Sequence, residues 1–365
     1  MDRKLQQEQQ QDVSPSHCIS LEDIQNASRR IQGIAHRTPV MTSKSLLSGN
    51  INCNDDGKSY FFKVEALQKT GSFKFRGALN AIKSELETFQ GTSMPVVTHS
   101  SGNHAQALAL ASKLASTDAV TVTATIVMPN NAPMVKKAAV EDFGAKIVMV
   151  ENTNEAREEE ADRIVETTGA VFVHPSENPR VIAGQGTVCL EFVEQVRELN
   201  AGVDLDLVII PVGGGGLASG NLVCLRGLLG NKVKIVLAEP SELDDAKRSF
   251  QAGELLKHRP DNELSSVADG LKTTLGPNTW PIVRDLADDI ITVSEEEILI
   301  ATKLVWERLK VAIEPSAGVG VAVAKSAEFH LKYPKSSGIE NVGIILCGGN
   351  VDILKISAMM KELGL

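Results

Sequence analysis

Apolar residues in this chain come in short runs, each closed by a polar or glycine-rich turn and followed by a longer segment of helical character. Residues 60–64, 95–99, 120–128, 146–150 and 171–174, then 207–212, 233–238, 289–293 and 342–346, have the β-branched density of buried parallel strands. Helices are predicted over the alanine-rich 105–115, over 133–142, over the acidic 154–168 and over 217–229. Ser20-Leu21-Glu22-Asp23 opens a further helix to about Gly33 as a capping box with Asp in place of Glu or Gln, and Ser294-Glu295-Glu296-Glu297 caps a long one to about Leu309. Thr38-Pro39 breaks the pattern, and residues 50–58 read as an exposed loop. Strands alternating with helices at this spacing imply βαβ units, parallel sheets and the α/β class.

Composition narrows the function classes. A chain of 365 residues affords two domains or one bilobal unit with a sizeable core, and 42% hydrophobic with 23% charged residues is ordinary for a globular protein. A net charge of −9 argues against a nucleic-acid partner, which needs clustered Lys and Arg. The five cysteines (Cys18, Cys53, Cys189, Cys224, Cys347) are odd in number and never form Cys-x-x-Cys, so neither a disulfide framework nor a zinc site is expected. Residues 1–17, rich in Gln, Asp and Ser, lack the apolar centre of a signal peptide and read as a disordered tail. With no run of about 18 apolar residues to span a membrane, the expectation is a cytoplasmic protein with no membrane partner.

Three junctions carry the chemistry. In Gly71-Ser72-Phe73-Lys74-Phe75-Arg76-Gly77 a lysine stands between two aromatic rings at a strand-to-helix passage. Desolvation by Phe73 and Phe75 and like charge from Arg76 would both lower the pKa of Lys74 towards a reactive amine; a solvated lysine opening an amphipathic helix is the alternative. Gly213-Gly214-Gly215-Gly216 follows a buried strand and precedes a helix, which exposes backbone N–H groups where a phosphate binds. A flexible turn is the alternative, at about 0.5–1 kcal/mol of conformational entropy per glycine. The loop is neither G-x-x-x-x-G-K-[ST] nor G-x-G-x-x-G. A phosphate cup with an aromatic-flanked lysine suggests pyridoxal 5′-phosphate, whose aldehyde forms a Schiff base with lysine. Ser100-Ser101-Gly102-Asn103-His104 is the third junction, again between a strand and a helix.

These motifs recur in order with Ala183-Gly184-Gln185-Gly186-Thr187, Glu239-Pro240-Ser241, Ala268-Asp269-Gly270, Glu314-Pro315-Ser316-Ala317-Gly318 and Gly348-Gly349-Asn350. From about Cys18 to Ile353 the chain resembles the fold-type II pyridoxal-phosphate enzymes of the serine/threonine dehydratase family. The resemblance implies a tryptophan synthase β-like α/β fold with two lobes, each a mainly parallel sheet flanked by helices. Residues 18–94 and 173–365 would form the large cofactor domain and 95–172 a small mobile domain.

By the same resemblance Lys74 carries the cofactor, Phe73 packs on its ring, Asn103 bonds the ring hydroxyl and Gly213, Gly214, Gly215 and Gly216 hold the phosphate. Cys347 would face the pyridine nitrogen, where serine is usual in the family's racemases and cysteine occurs in some dehydratases. Released Lys74 becomes the base on one face of the substrate α-carbon and Ser101 serves the other, as racemisation requires; a helix N-cap or carboxylate ligand is the other reading of Ser101. The implied activity is racemisation of L-serine to D-serine with accompanying elimination to pyruvate and ammonia, the alternative being a dedicated L-serine/L-threonine dehydratase.

Ser100, Ser101, Asn103 and His104 would meet the substrate carboxylate, with Arg157 either a further ligand or part of a solvated helix face. Glu239 and Asp245, with the Leu243 carbonyl, would hold Mg2+ (or Ca2+ or Mn2+). ATP is implied as an activator at a homodimer interface near Gln106, Lys136 and Asn350, where Phe143 replaces a tyrosine. The segment Pro175-Ser176-Glu177-Asn178-Pro179 departs from the vertebrate racemase pattern and lacks the serine triplet associated with aspartate racemases.

Overall fold

Among the described residues of the computed structural model, nine of the ten strands fall where the β-branched runs predict them. The structure describes residues 17–43, 46, 47, 57–132, 134–259 and 265–365. The expected tail over 1–17 and the loop over 50–58 lie outside these residues, apart from 17, 57 and 58. The strands are β1 (Val40–Thr42), β2 (Ser59–Val64), β3 (Ser93–His99), β4 (Thr121–Pro129), β5 (Lys146–Val150), β6 (Val171–Phe172), β7 (Leu207–Pro211), β8 (Lys234–Pro240), β9 (Asp289–Val293) and β10 (Asn341–Leu346). The helices are α1 (Leu21–Ile31), α2 (Lys74–Leu86), α3 (Asn103–Ala115), α4 (Met134–Asp142), α5 (Asn154–Thr168), α6 (Pro179–Leu199), α7 (Gly216–Leu229), α8 (Asp245–Ala252), α9 (Thr279–Leu286), α10 (Glu295–Arg308), α11 (Pro315–Lys325), α12 (Ala327–Lys332) and α13 (Ile353–Glu362).

Two sheets result. One has six strands in the order β1-β2-β10-β7-β8-β9, and the other four in the order β5-β4-β3-β6. All pairings among these strands are parallel except β1 with β2. Thr38-Pro39 therefore does not end regular structure: Val40–Thr42 adds an antiparallel edge strand, where a preceding proline costs no ladder bond. β6 is shorter than its apolar run, because His174 Nδ1 accepts the backbone N–H groups of Ser176 and Glu177 and turns the chain. Both capping boxes form as predicted, at Ser20 and at Ser294.

Each sheet has its own core. The large sheet packs β7, β8 and β10 side chains such as Ile209, Leu237 and Ile344 against α6, α7 and α11. The small sheet gathers Met94, Val96, Leu108 and Ile126, and α2 joins it through Phe75, Ala78, Leu79 and Ile82. Full burial of such side chains contributes about 1.5–3 kcal/mol each. The helix that begins at Lys74 is thus anchored in the small core while its first turn meets the large sheet. Ala183 to Thr187 lies inside the 21-residue α6, where Gly184 and Gly186 allow close approach to α2 and α7. A Cβ on Gly184 would come within 2.6 Å of Gly77 Cα, and one on Gly186 within 2.7 Å of the Gly220 oxygen.

Candidate functional site

A cavity of about 790 Å³ opens between the two sheets at the carboxyl ends of β3, β7 and β10, the place where open parallel sheets bind ligands. Lys74 enters it from the first turn of α2. Thr70 and Gly71 have positive φ (58° and 69°), which reverses the chain between β2 and α2. The loop is then zipped to the end of β10: Phe73 N–H donates to Cys347 O at 3.1 Å and Gly349 N–H to Gly71 O at 2.8 Å. Lys74 Nζ donates to Pro175 O at 2.9 Å and stands 5.2 Å from the Phe73 ring centroid. Burial pulls its pKa down to about 8, against the opposing charges of Cys347 and Glu314.

Arg76 contributes differently from the sequence expectation. Its guanidinium turns away from the cavity and binds Glu65 and Glu191 through both forks, in a buried group that also holds Lys63 and Thr38. Desolvation rather than a neighbouring like charge lowers the Lys74 pKa. Phe75 belongs to the small core, so Phe73 alone of the two rings faces the amine.

Gly213, Gly214, Gly215 and Gly216 form the opposite wall. Gly215 has φ 78°, and α7 starts at Gly216 with no side chain capping its N–H groups. Side chains are excluded throughout: a Cβ would meet Leu271 Cα at 2.8 Å from Gly213, Ser176 Oγ at 2.8 Å from Gly214 and Thr279 Cβ at 2.6 Å from Gly215. Bare N–H groups at a helix start, with no room for anything but backbone, make an anion cup.

Ser100, Ser101, Asn103 and His104 line the same cavity. Gly102 N–H donates to Ser100 Oγ at 3.3 Å, whereas the Ser101 hydroxyl has no partner among the described residues. Asn103 Nδ2 donates to Glu314 Oε1 at 2.9 Å, and its Oδ1 accepts from Asn350 Nδ2 at 2.8 Å. His104 corrects an expectation: its Nε2–H donates to Val173 O at 3.1 Å, and burial first, then the Lys74 charge, pulls its pKa to about 3. A neutral ring protonated on Nε2 has no second hydrogen to give a carboxylate. Arg157 lines the cavity from α5, with its fork turned back onto Thr153 O and Asn154 Oδ1.

Cys347, 2% exposed, directly follows β10, and burial raises its thiol pKa well above the usual value, so it stands as a neutral group beside Lys74 and Glu314. Glu314 enters the sequence reading only as part of the Glu314-Pro315-Ser316-Ala317-Gly318 motif, with no role of its own; the structure places its carboxylate in the cavity wall, bonded to Asn103. His99 and His174 carry no signal in the sequence either, and with Phe172 they form an aromatic group on the β3–β6 side, His99 and His174 having centroids 5.7 Å apart. The segment 269–274 also contributes to the wall.

Glu239, Leu243 and Asp245 lie at the end of β8, the strand next to β7, which the glycine loop follows. Glu239 accepts the N–H groups of Ala246 and Lys247 at 2.8 and 2.9 Å. Burial and then the Asp245 charge push its pKa well up, and burial pushes Asp245 to about 6 despite His258. Among the described residues no three His, Cys, Asp or Glu side chains converge as a metal cluster. Gln106 is half-buried on α3, and Lys136 falls on α4 with its side chain outside the described residues. Asn350 has its amide donors on Thr70 O, at 2.7 Å, and on Asn103.

A lysine of lowered pKa, an anion cup and a neutral thiol facing one cavity define a class. The chain belongs to the family of pyridoxal-phosphate dependent enzymes, whose model matches residues 31–348. Within that family it is 46% identical over 344 residues to serine racemase of Rattus norvegicus, a match covering 93% of this chain and 96% of that protein. The solved structure of maize serine racemase is similar at a TM-score of 0.83 and 41% identity, covering 95% of this chain and 99% of that one. The solved serine racemase of Dictyostelium discoideum is similar at a TM-score of 0.81 and 43% identity, covering 92% of this chain and 100% of that one.

Proposed function

We propose that the protein racemises L-serine to D-serine and also eliminates serine to pyruvate and ammonia. The observation that carries the reading is that Lys74, with its pKa near 8, and the unpartnered Ser101 hydroxyl open into one cavity above the glycine cup. Likeness to the serine racemases supports it.

The residues fit pyridoxal 5′-phosphate: a cup where any Cβ would collide, a lysine whose amine is partly neutral near pH 8, and the Phe73 ring beside it. The cofactor, when bound, makes the substrate α-proton acidic through its electron-poor ring. Gly213 to Gly216 would hold its phosphate. Asn103, fixed by Glu314 and Asn350, would present its remaining amide hydrogen to the ring hydroxyl. Cys347, neutral because burial raises its thiol pKa, would stand at the ring nitrogen without adding negative charge there and so would keep the electron demand moderate. The freed Lys74 amine takes the α-proton on its own face, and Pro175 O accepts one of its hydrogens and orients its lone pair. Ser101 returns a proton on the other face. Ser100 and the N–H groups opening α3 would receive the substrate carboxylate, and Arg157 would reach it only by leaving Asn154.

The reading extends to a divalent cation, Mg2+ or else Ca2+ or Mn2+, at Glu239, Asp245 and the Leu243 carbonyl. Two buried carboxylates with raised pKa values form a site that a hard cation would relieve. It extends further to ATP near Gln106, Lys136 and Asn350, to a cytoplasmic homodimer, and to a small domain over 95–172 that closes on substrate. Dedicated dehydration is the second reading, favoured by the thiol at Cys347. A chiral amino-acid assay run beside a pyruvate assay on L-serine separates the two: pyruvate without D-serine would overturn the racemase.

A further inference from the structure

One side chain, His258, reaches from the carboxylate corner at the end of β8 to the cavity. Its Nδ1 lies 3.1 Å from Asp245 Oδ1, and its Nε2 lies 2.9 Å from Lys272 O. A carbonyl only accepts, so Nε2 carries a hydrogen and the ring is held at both ends. At the far end, Gly270 N–H donates to Ser316 Oγ at 3.0 Å. His258 and residues 269–274 both line the cavity.

The strap 269–275 held in this way is the wall against which the glycine cup is built. A Cβ on Gly213 would come 2.8 Å from Leu271 Cα, one on Gly214 3.2 Å from Thr273 Cγ2, and one on Gly215 2.6 Å from Leu275 Cδ2. Packing this close passes a displacement on rather than absorbing it. Carboxylate corner, imidazole, strap and phosphate cup are therefore one run of direct contacts.

We propose that His258 is a positioning residue that couples occupancy of the Glu239–Asp245 cation site to the strap 269–275, and through it to the cup and the substrate side of the cavity. This rests on the cation reading above. Asp245 shares its charge between the cation site and His258, so recruitment at one side loosens or redirects the other, and the Lys272 carbonyl follows the ring. The coupling is reciprocal, because linkage requires it of any two binding equilibria.

The test uses holoenzyme freed of metal by chelation. Mg2+ alone is titrated by calorimetry, hydrogen exchange over 269–273 is followed with and without it, and the KM for L-serine is measured in parallel. In the unaltered protein Mg2+ slows exchange over 269–273 and lowers KM, each by about fivefold or more. In His258→Ala, Mg2+ still binds through Glu239, Leu243 and Asp245, yet exchange and KM no longer respond. His258→Gln, which keeps an N–H for Lys272 O, recovers part of the response, and Arg259→Ala leaves it intact. A full Mg2+ response in His258→Ala overturns the inference. Loss of Mg2+ binding in that variant also overturns it, by making the imidazole a ligand instead of a coupler. No calorimetric Mg2+ binding in the unaltered protein removes the cation reading itself.

Discussion

Asn350 Nδ2 donates to Asn103 Oδ1 at 2.8 Å, and together with the bond from Asn103 Nδ2 to Glu314 Oε1 it fixes which way the Asn103 amide points. With Oδ1 occupied, Nδ2 faces Glu314 and the cavity. Asn350→Ala removes one of the two bonds that hold the amide, and kcat/KM for serine is expected to fall by up to about tenfold, the upper range for one neutral hydrogen bond. The fall should appear with no nucleotide present; an effect confined to assays containing ATP would contradict it.

Lys74 should titrate near pH 8 and not at the ordinary lysine value of 10.5. The rate at which cofactor-free protein captures pyridoxal, trapped with borohydride and located by mass spectrometry, is expected to level off above about pH 8. In that form the unfolded chain binds this proton more tightly than the folded one, so the group's contribution to stability rises with pH between about 8 and 10.5. A capture midpoint near 10.5 would refute the desolvated setting.

Ser101→Ala is expected to lower racemisation by about a hundredfold or more, the lower range for a lost acid–base group. Pyruvate formation from L-serine should survive within about tenfold, because the Lys74 face is untouched. Equal loss of both products would assign Ser101 to substrate binding instead.

Arg76→Met leaves Glu65 and Glu191 without their shared partner, and Glu65 is completely buried. Denaturant unfolding should show a loss of about 3–5 kcal/mol. Arg197→Met, which breaks an exposed pair with Asp204, should cost less than about 1 kcal/mol. Similar losses in the two variants would mean that the buried network does not anchor α2.

Acid should destabilise the protein through its buried imidazoles. Burial holds His104 at about 3 and His174 at about 4, both below the ordinary 6.5, so the unfolded chain takes up protons that the folded one refuses. Their contribution is present above pH 6.5 and is lost as pH falls towards 4 and 3. Asp245, raised to about 6, works in the opposite direction between 6 and 3.8. The stability difference between about pH 7 and pH 5 is expected to shrink in His104→Gln; an unchanged difference would exclude His104 as a source.

Much of the architecture was legible because its strands are buried on both faces and therefore continuous in β-branched residues. β1 escaped because three half-exposed residues at an antiparallel edge carry no such density. α6 was visible only as a motif, since Gly184 and Gly186 look like breakers until the neighbouring helices that need their missing side chains are known. Lys74 and the four glycines stood out by residue type and spacing. Glu314, His99, His174 and His258 did not, because single polar residues acquire a role only from partners that topology brings from far along the chain. Arg76 shows the limit from the other side: adjacency in sequence suggested an electrostatic effect on Lys74, yet the helix turn points the two side chains in different directions.

β10 lies in the middle of the six-stranded sheet, between β2 and β7, and its end fixes the Lys74 loop. A ribosome delivers residues 341–346 last among the strands. Until they emerge, the large sheet has a gap at its centre and the reactive lysine has nothing to be zipped against. Synthesis itself thus keeps the amine from being assembled before β10 has been made, and a product cut short ahead of β10 would lack both the centre of the sheet and the wall of the site.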